Sequence, residues 1–289
     1  MTSSKKEHLL FACLLGSALL LATTVARAAD APNLLRNGDA ELGNADNWGK
    51  LWEARAEGAH AGKSCFIKAG PAFVLCDDFI AVDPDKTYLL SGWFKSATAE
   101  PSHLYFGYAP YDADKKPIFC ENVSATPGTE TTLAGACKKE DDILKIADGS
   151  KWRATPFAVV AFSVDNSGQY KDLPNRNLST RGILSVDKKG EFWEIKLAKP
   201  CGKEYPAGTL IRQHVAGPGY IYNAATNAVV PQEWKQYSGR IKGIALSGAP
   251  TAQWWPGAKF ARVIVMPNYG QAKDVSLLAD DISMTTVEP

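Results

Sequence analysis

The closing stretch of the chain, Phe260 to Met284, leaves little choice of fold. It holds two apolar runs, Phe-Ala-Arg-Val-Ile-Val-Met and Val-Ser-Leu-Leu-Ala-Asp-Asp-Ile-Ser-Met, separated by Pro267-Asn268-Tyr269-Gly270 and a short polar break. Such runs on either side of a Pro/Asn/Gly turn read as paired antiparallel strands rather than a helix. The second run carries Asp280 and Asp281 side by side, and in an extended segment consecutive side chains point to opposite faces. One of the two carboxylates therefore faces inward, where it needs a cation or several hydrogen-bond donors.

Partners for it are expected near the other end of the chain. Asn33-Leu34-Leu35-Arg36-Asn37-Gly38-Asp39-Ala40-Glu41 runs straight into a loop with Gly43, Asn44, Asp46 and Trp48, and Gly58 to Ser64 forms a glycine-bounded turn. Hard cations such as calcium take six to eight oxygen ligands, and glycines let backbone carbonyls converge. Two readings stay open: a calcium ion shared by this loop and Asp281, or a solvated acidic turn with Asp281 held by backbone donors.

Between the ends, Phe73 to Leu75, Phe79 to Val82, Thr87 to Phe94, Leu104 to Tyr108, Phe157 to Val164, Glu191 to Leu197, Leu210 to Val215, Tyr220 to Tyr222 and Ile241 to Leu246 read as strands with polar turns between them. This spacing predicts an all-β antiparallel sandwich. Residues 29–289 are expected to form one domain with an enlarged middle region at about 111–233, where the pattern loosens and Ile143 to Ile146 reads as a short helical turn. Trp48, Trp52 and Trp93 are expected in the core.

Residues 1–28 read as an export signal, with Lys5 and Lys6, an apolar run from Leu9 to Ala22, and Ala26-Arg27-Ala28 as the cleavage site. A secreted or periplasmic monomer follows, and no other stretch reaches the length of a membrane span. Export permits disulfides among Cys65, Cys76, Cys120, Cys137 and Cys201; Cys65 with Cys76, or Cys120 with Cys137, would close modest loops, though spacing does not fix the pairing. With 32 basic against 31 acidic residues, the chain has no electrostatic reason to bind nucleic acid.

At Asn33 to Glu41, Trp48, Gly62-Lys63-Ser64 and Ala279-Asp280-Asp281-Ile282-Ser283, the chain resembles the CenC-like jelly-roll carbohydrate-binding modules of the galactose-binding-like fold. The resemblance covers roughly residues 33 to 110 and 234 to 284. It implies a jelly-roll sandwich and a polysaccharide or cell-surface glycan as partner. It also implies a structural calcium held by Glu41, the Gly62 to Ser64 turn and Asp281, with Asp39 a further candidate.

Sites for sugars combine exposed aromatic rings with amide, carboxylate or guanidinium groups. Arg212-Gln213-His214 followed by Gly217-Pro218-Gly219-Tyr220-Ile221-Tyr222 is one candidate, since Arg212 and His214 share a face of a strand. Trp254-Trp255-Pro256-Gly257, preceded by Trp234, is the other: adjacent tryptophans cannot both face the core from a regular strand. Three functions from different classes follow. The first is non-catalytic glycan binding. The second is a polysaccharide-active enzyme, above all a lyase with His214 or Tyr220 as base and Arg212 on the substrate carboxylate. The third is a structural cell-surface role. No nucleophile elbow, zinc-protease helix or phosphate loop is present.

Overall fold

The computed structural model describes residues 31–49 and 52–288. The export-signal reading of residues 1–28 lies outside the described residues. The first part of the chain supplies β1 (Glu53–Arg55), β2 (Cys65–Ala69), β3 (Val74–Leu75), β4 (Ile80–Ala81), β5 (Thr87–Ser96) and β6 (Ser102–Tyr111). The middle supplies a one-turn helix α1 (Cys120–Val123), then β7 (Thr131–Thr132), β8 (Ile143–Ile146), β9 (Ala158–Phe162), β10 (Ile183–Lys189), β11 (Phe192–Leu197) and β12 (Leu210–Val215). The last part supplies β13 (Ile221–Val230), β14 (Lys235–Lys242), β15 (Phe260–Pro267) and β16 (Ser276–Val287).

Strands from the two ends of the chain interleave in two antiparallel sheets, as in a jelly roll. One sheet has the order β1-β2-β16-β5-β14; the other has β13-β6-β15-β3, with β4 also on β15. Alternation decides what faces inward. On β6, Leu104, Phe106 and Tyr108 are buried, while Tyr105 points to the opposite face. Phe94 of β5 meets Phe106 of β6 edge-on at 5.1 Å, joining the two sheets across the core.

The ends meet as expected, through the backbone. Leu34 N–H donates to Met284 O (2.9 Å), Ile282 N–H to Gly38 O (2.8 Å), and Asn33 Nδ2 to Ile282 O (3.0 Å). Gly38 is required here: a Cβ on it would sit 1.8 Å from Ile282 O. The closing strand also bends at Asp281. Its partner on β5 passes from Trp93 to Ser91 while β16 passes from Asp280 to Ser283, so β16 carries one extra residue, with Asp281 at φ 47°. This bulge resets the alternation: Leu277 and Ala279 face the core before it, Ile282 and Met284 after it.

The middle of the chain builds two three-stranded sheets, β10-β11-β8 and β7-β12-β9. Leu133, Leu144, Ile146, Trp152, Phe162, Ile195 and Ile211 form a hydrophobic cluster between them, separate from the main core. Ile143 to Ile146 is thus a strand pairing with β11, not a helical turn. In so short a run, Leu144 and Ile146 buried with Ile143 and Lys145 exposed is the two-residue period of a strand.

Candidate functional site

Four of the five expected metal ligands gather at the terminal junction. Glu41 Oε1 accepts the N–H groups of Lys63 (2.7 Å) and Ser64 (2.9 Å), and these donors hold its carboxyl below the usual range. Gly62 turns back on this carboxylate so closely that a Cβ would lie 2.4 Å from Glu41 Oε1. Asp39 Oδ1 caps the N–H of Glu41 at 3.3 Å. The inward carboxylate is Asp280, not Asp281: the bulge turns Asp281 outward, where it pairs with His60 Nδ1 at 3.0 Å. Asp280 is fully buried and accepts N–H groups from His60, Ala61 and Asp281. Burial raises its pKa, with these three donors opposing. Among the described residues, no three His, Cys, Asp or Glu side chains converge on one point.

Arg212 and His214 do share a face of β12, but that face is closed. Both are fully buried. Arg212 pairs with Asp172 Oδ2 (2.9 Å), donates to Asp165 O (3.3 Å) and lies 4.7 Å from the Tyr170 ring. Its Nε donates to His214 Nε2 at 3.0 Å, so Nε2 is the acceptor and His214 Nδ1–H donates to Glu121 O at 2.7 Å. Burial, together with the Arg212 charge, pushes the His214 pKa down to about 4 and keeps the imidazole neutral. The expectation that these two residues engage a ligand is corrected: α1 and the loop 165–172 cover them, and their polar atoms hold the middle region together.

The tryptophan pair is corrected likewise. Trp254 and Trp255 are both fully buried. The alternation rule does not apply, because the segment is no strand: Trp254 makes a single parallel bridge to Ile244, and a turn follows at once. Trp254 wedges edge-on between Tyr88 (5.2 Å) and Tyr108 (4.9 Å) and closes one end of the main core. Trp234 is half-buried on the other sheet, 5.7 Å from His60, which stacks on Trp93 at 3.9 Å. Trp48 and Trp52 are in the core as expected, whereas Trp93 faces outward under His60.

Tyr220 and Tyr222 have a different fate. On the outer face of the second sheet, successive ring centroids run from Tyr269 to Tyr105 (5.7 Å), Tyr222 (4.7 Å), Tyr220 (5.3 Å) and Phe73 (5.3 Å). Tyr269 is 59% exposed and Phe73 44%, so the row is open to solvent at both ends. Burial and the neighbouring Tyr220 push the Tyr222 hydroxyl pKa up, so it stays a neutral donor. The row leads into a groove of about 630 Å³. The sandwich forms one wall with Phe73, Leu75, Ala109 and Tyr111; the middle region forms the other with Phe119, Phe157, Arg181 and the 217–220 loop. Arg181 is fixed there by Glu121 Oε1 (2.9 Å) and Gly217 O (3.1 Å). Gly219 lets the loop pass under Phe119, whose ring would lie 2.9 Å from a Cβ.

Tyr105, Tyr269, Phe73, Phe119, Phe157 and Arg181 were not among the sequence candidates. One signal was available: Tyr105 alternates with Leu104 and Phe106, which marks it as outward-facing once those two are core.

No family model and no curated protein matches this chain. Solved structures similar to it include the CBM22-1 xylan-binding domain from Paenibacillus barcinonensis Xyn10C, at 11% identity and TM-score 0.39, over 91% of this chain and 99% of that one. Family 16 Carbohydrate Binding Module-2 aligns at 16% identity and TM-score 0.33 (89% and 100%), and TmCBM61 in complex with beta-1,4-galactotriose at 10% and 0.30 (89% and 100%). They are carbohydrate-binding modules of several families rather than one, and at these values the chain is assigned to none of them, CenC-like modules included.

Proposed function

We propose that this chain is an exported, non-catalytic protein that binds a polysaccharide along the aromatic row Tyr269-Tyr105-Tyr222-Tyr220-Phe73 and in the groove beside it. The observation that carries this reading is the row itself: five rings on the solvent side of one sheet, none of them needed to fill the core. Exposed aromatic rings suit the apolar faces of sugar rings, and tyrosine hydroxyls with a fixed guanidinium suit their hydroxyls. The lyase arrangement built on His214 and Arg212 is disfavoured because both are buried and both ring nitrogens of His214 are engaged, which leaves Tyr220 as the one base still at the groove.

The test is depletion of the protein by insoluble neutral and acidic polysaccharides, with the supernatant assayed for released sugar. Retention without product is expected. A blank across the whole panel would remove the binding reading, and a product would restore the enzyme. We further propose calcium at the terminal junction, where Glu41, with carbonyl oxygens of the 62–64 turn, would hold it as a brace between the first loop and that turn.

A further inference from the structure

The middle region contains a pair of thiols that neither sugar binding nor the core requires to be separate. Cys137 and Cys201 both lie in its hydrophobic cluster and are 4% and 6% exposed. The backbone brings them together from two antiparallel stretches. Cys137 exchanges hydrogen bonds with Tyr205 (N to O 2.9 Å in each direction), while Cys201 N–H donates to Asp141 O and Gly202 N–H to Lys139 O, each at 2.8 Å. Cys137 Sγ lies 3.3 Å from Lys138 O and 3.9 Å from Lys203 O, over the loop that begins at Cys201. The Tyr205 side chain packs against the same cluster. The other cysteines have separate surroundings: Cys65 Sγ donates to Glu57 O, Cys76 Sγ accepts from Val263 N–H, and Cys120 packs under Gly217.

We propose that Cys137 and Cys201 form a disulfide when the chain folds in the presence of an external disulfide, while Cys65, Cys76 and Cys120 remain thiols. One cysteine, as thiolate, attacks a sulfur of the external disulfide and releases one small thiol. The second thiolate then attacks the mixed disulfide and releases the other. The protein loses two hydrogens and is oxidised; the external disulfide is reduced to two thiols. The bond encloses the strands β8 to β11 in one covalent loop, which restricts the unfolded chain. Burial pushes the Cys137 thiol up to about 12, so in the folded protein little thiolate is present and closure belongs to folding or local opening.

The experiment is to refold the full chain with oxidised and reduced glutathione, alkylate the remaining thiols under denaturing conditions, and measure intact mass and non-reduced peptides. Four alkylated cysteines, Cys13 among them, and a single linked peptide joining Cys137 to Cys201 are expected. Six alkylated cysteines, or a link involving Cys13, Cys65, Cys76 or Cys120, would overturn the proposal. A thermal melt adds a second readout: the oxidised protein is expected to melt above the reduced one, and this difference should vanish in Cys137→Ser/Cys201→Ser. An equal difference in the double variant would count against the assignment.

Discussion

Strands β12 and β13 follow each other in the chain and both carry polar side chains suited to a ligand, yet they end in opposite environments. Arg212 and His214 on β12 are sealed inside, where Asp172, the Asp165 carbonyl and Glu121 O answer each of their hydrogen-bonding groups. Tyr222, at the start of β13, and Tyr220 just before it join a row of rings that is open to solvent at both ends. The difference lies in what the surrounding chain supplies. A guanidinium goes inside only where a loop brings counter-charge and acceptors; a tyrosine can remain at the surface because its ring finds other rings and its hydroxyl finds water.

The sharpest way to break this contrast is Arg212→Ala. It leaves His214 Nε2 without its donor and the nearly buried Asp172 carboxylate without its cation, with only the Asp165 N–H and Asn175 Nδ2 still donating to it, a loss of roughly 3–5 kcal/mol for a broken buried pair. A large drop in urea midpoint is expected, partly recovered by Asp172→Asn. If Arg212→Ala instead kept its stability and lost polysaccharide binding, the two strands would have exchanged roles.

Protonation of His214 is the next lever. Its folded pKa of about 4 lies below the ordinary 6.5, so the unfolded chain binds more protons between these values. The associated stability is complete above pH 6.5 and falls as pH drops toward 4, by about 3 kcal/mol at most. Denaturant melts across this window should show the slope in the parent protein and flatten in His214→Gln; parallel curves would refute the assignment.

On the other strand, Tyr222→Ala or Tyr269→Ala should weaken polysaccharide binding roughly tenfold each, about 1.4 kcal/mol, while Tyr269→Ala leaves the melting temperature almost unchanged. Isothermal titration against the retained polysaccharide measures this. The smallest effect is expected at the terminal junction, where chelation should lower the melting temperature by a few degrees through loss of a ligand bound only to the native state. An unchanged melt in chelator would mean that backbone hydrogen bonds alone join the ends.

The sandwich was legible because its strands write their alternation plainly: Leu104, Phe106 and Tyr108 on β6, or Val263 and Val265 on β15. The meeting of the ends was legible in the short motifs around Gly38 and Asp280. What alternation alone did not reveal was the bulge at Asp281, which costs only one residue in sequence but reverses which carboxylate is inside. β14 was placed too late in the chain because Lys235 to Arg240 is polar, as suits an edge strand, and only Tyr237 and Ile241 turn inward. The aromatic row was hidden for a different reason. Its members come from β6, β13 and three loops, and only the sheet order makes neighbours of them.

The middle region departs after Tyr111 and rejoins at Ile221, whose register partner Tyr108 lies three residues before the point of departure. Chain that exits and re-enters at adjoining rungs of one hairpin can vary in size without shifting any rung of the ladder. One rim of the groove is therefore free to drift in shape over evolutionary time while the tyrosine-bearing sheet stays put, so under the proposed binding role selectivity for one glycan over another would belong to the detour rather than to the scaffold.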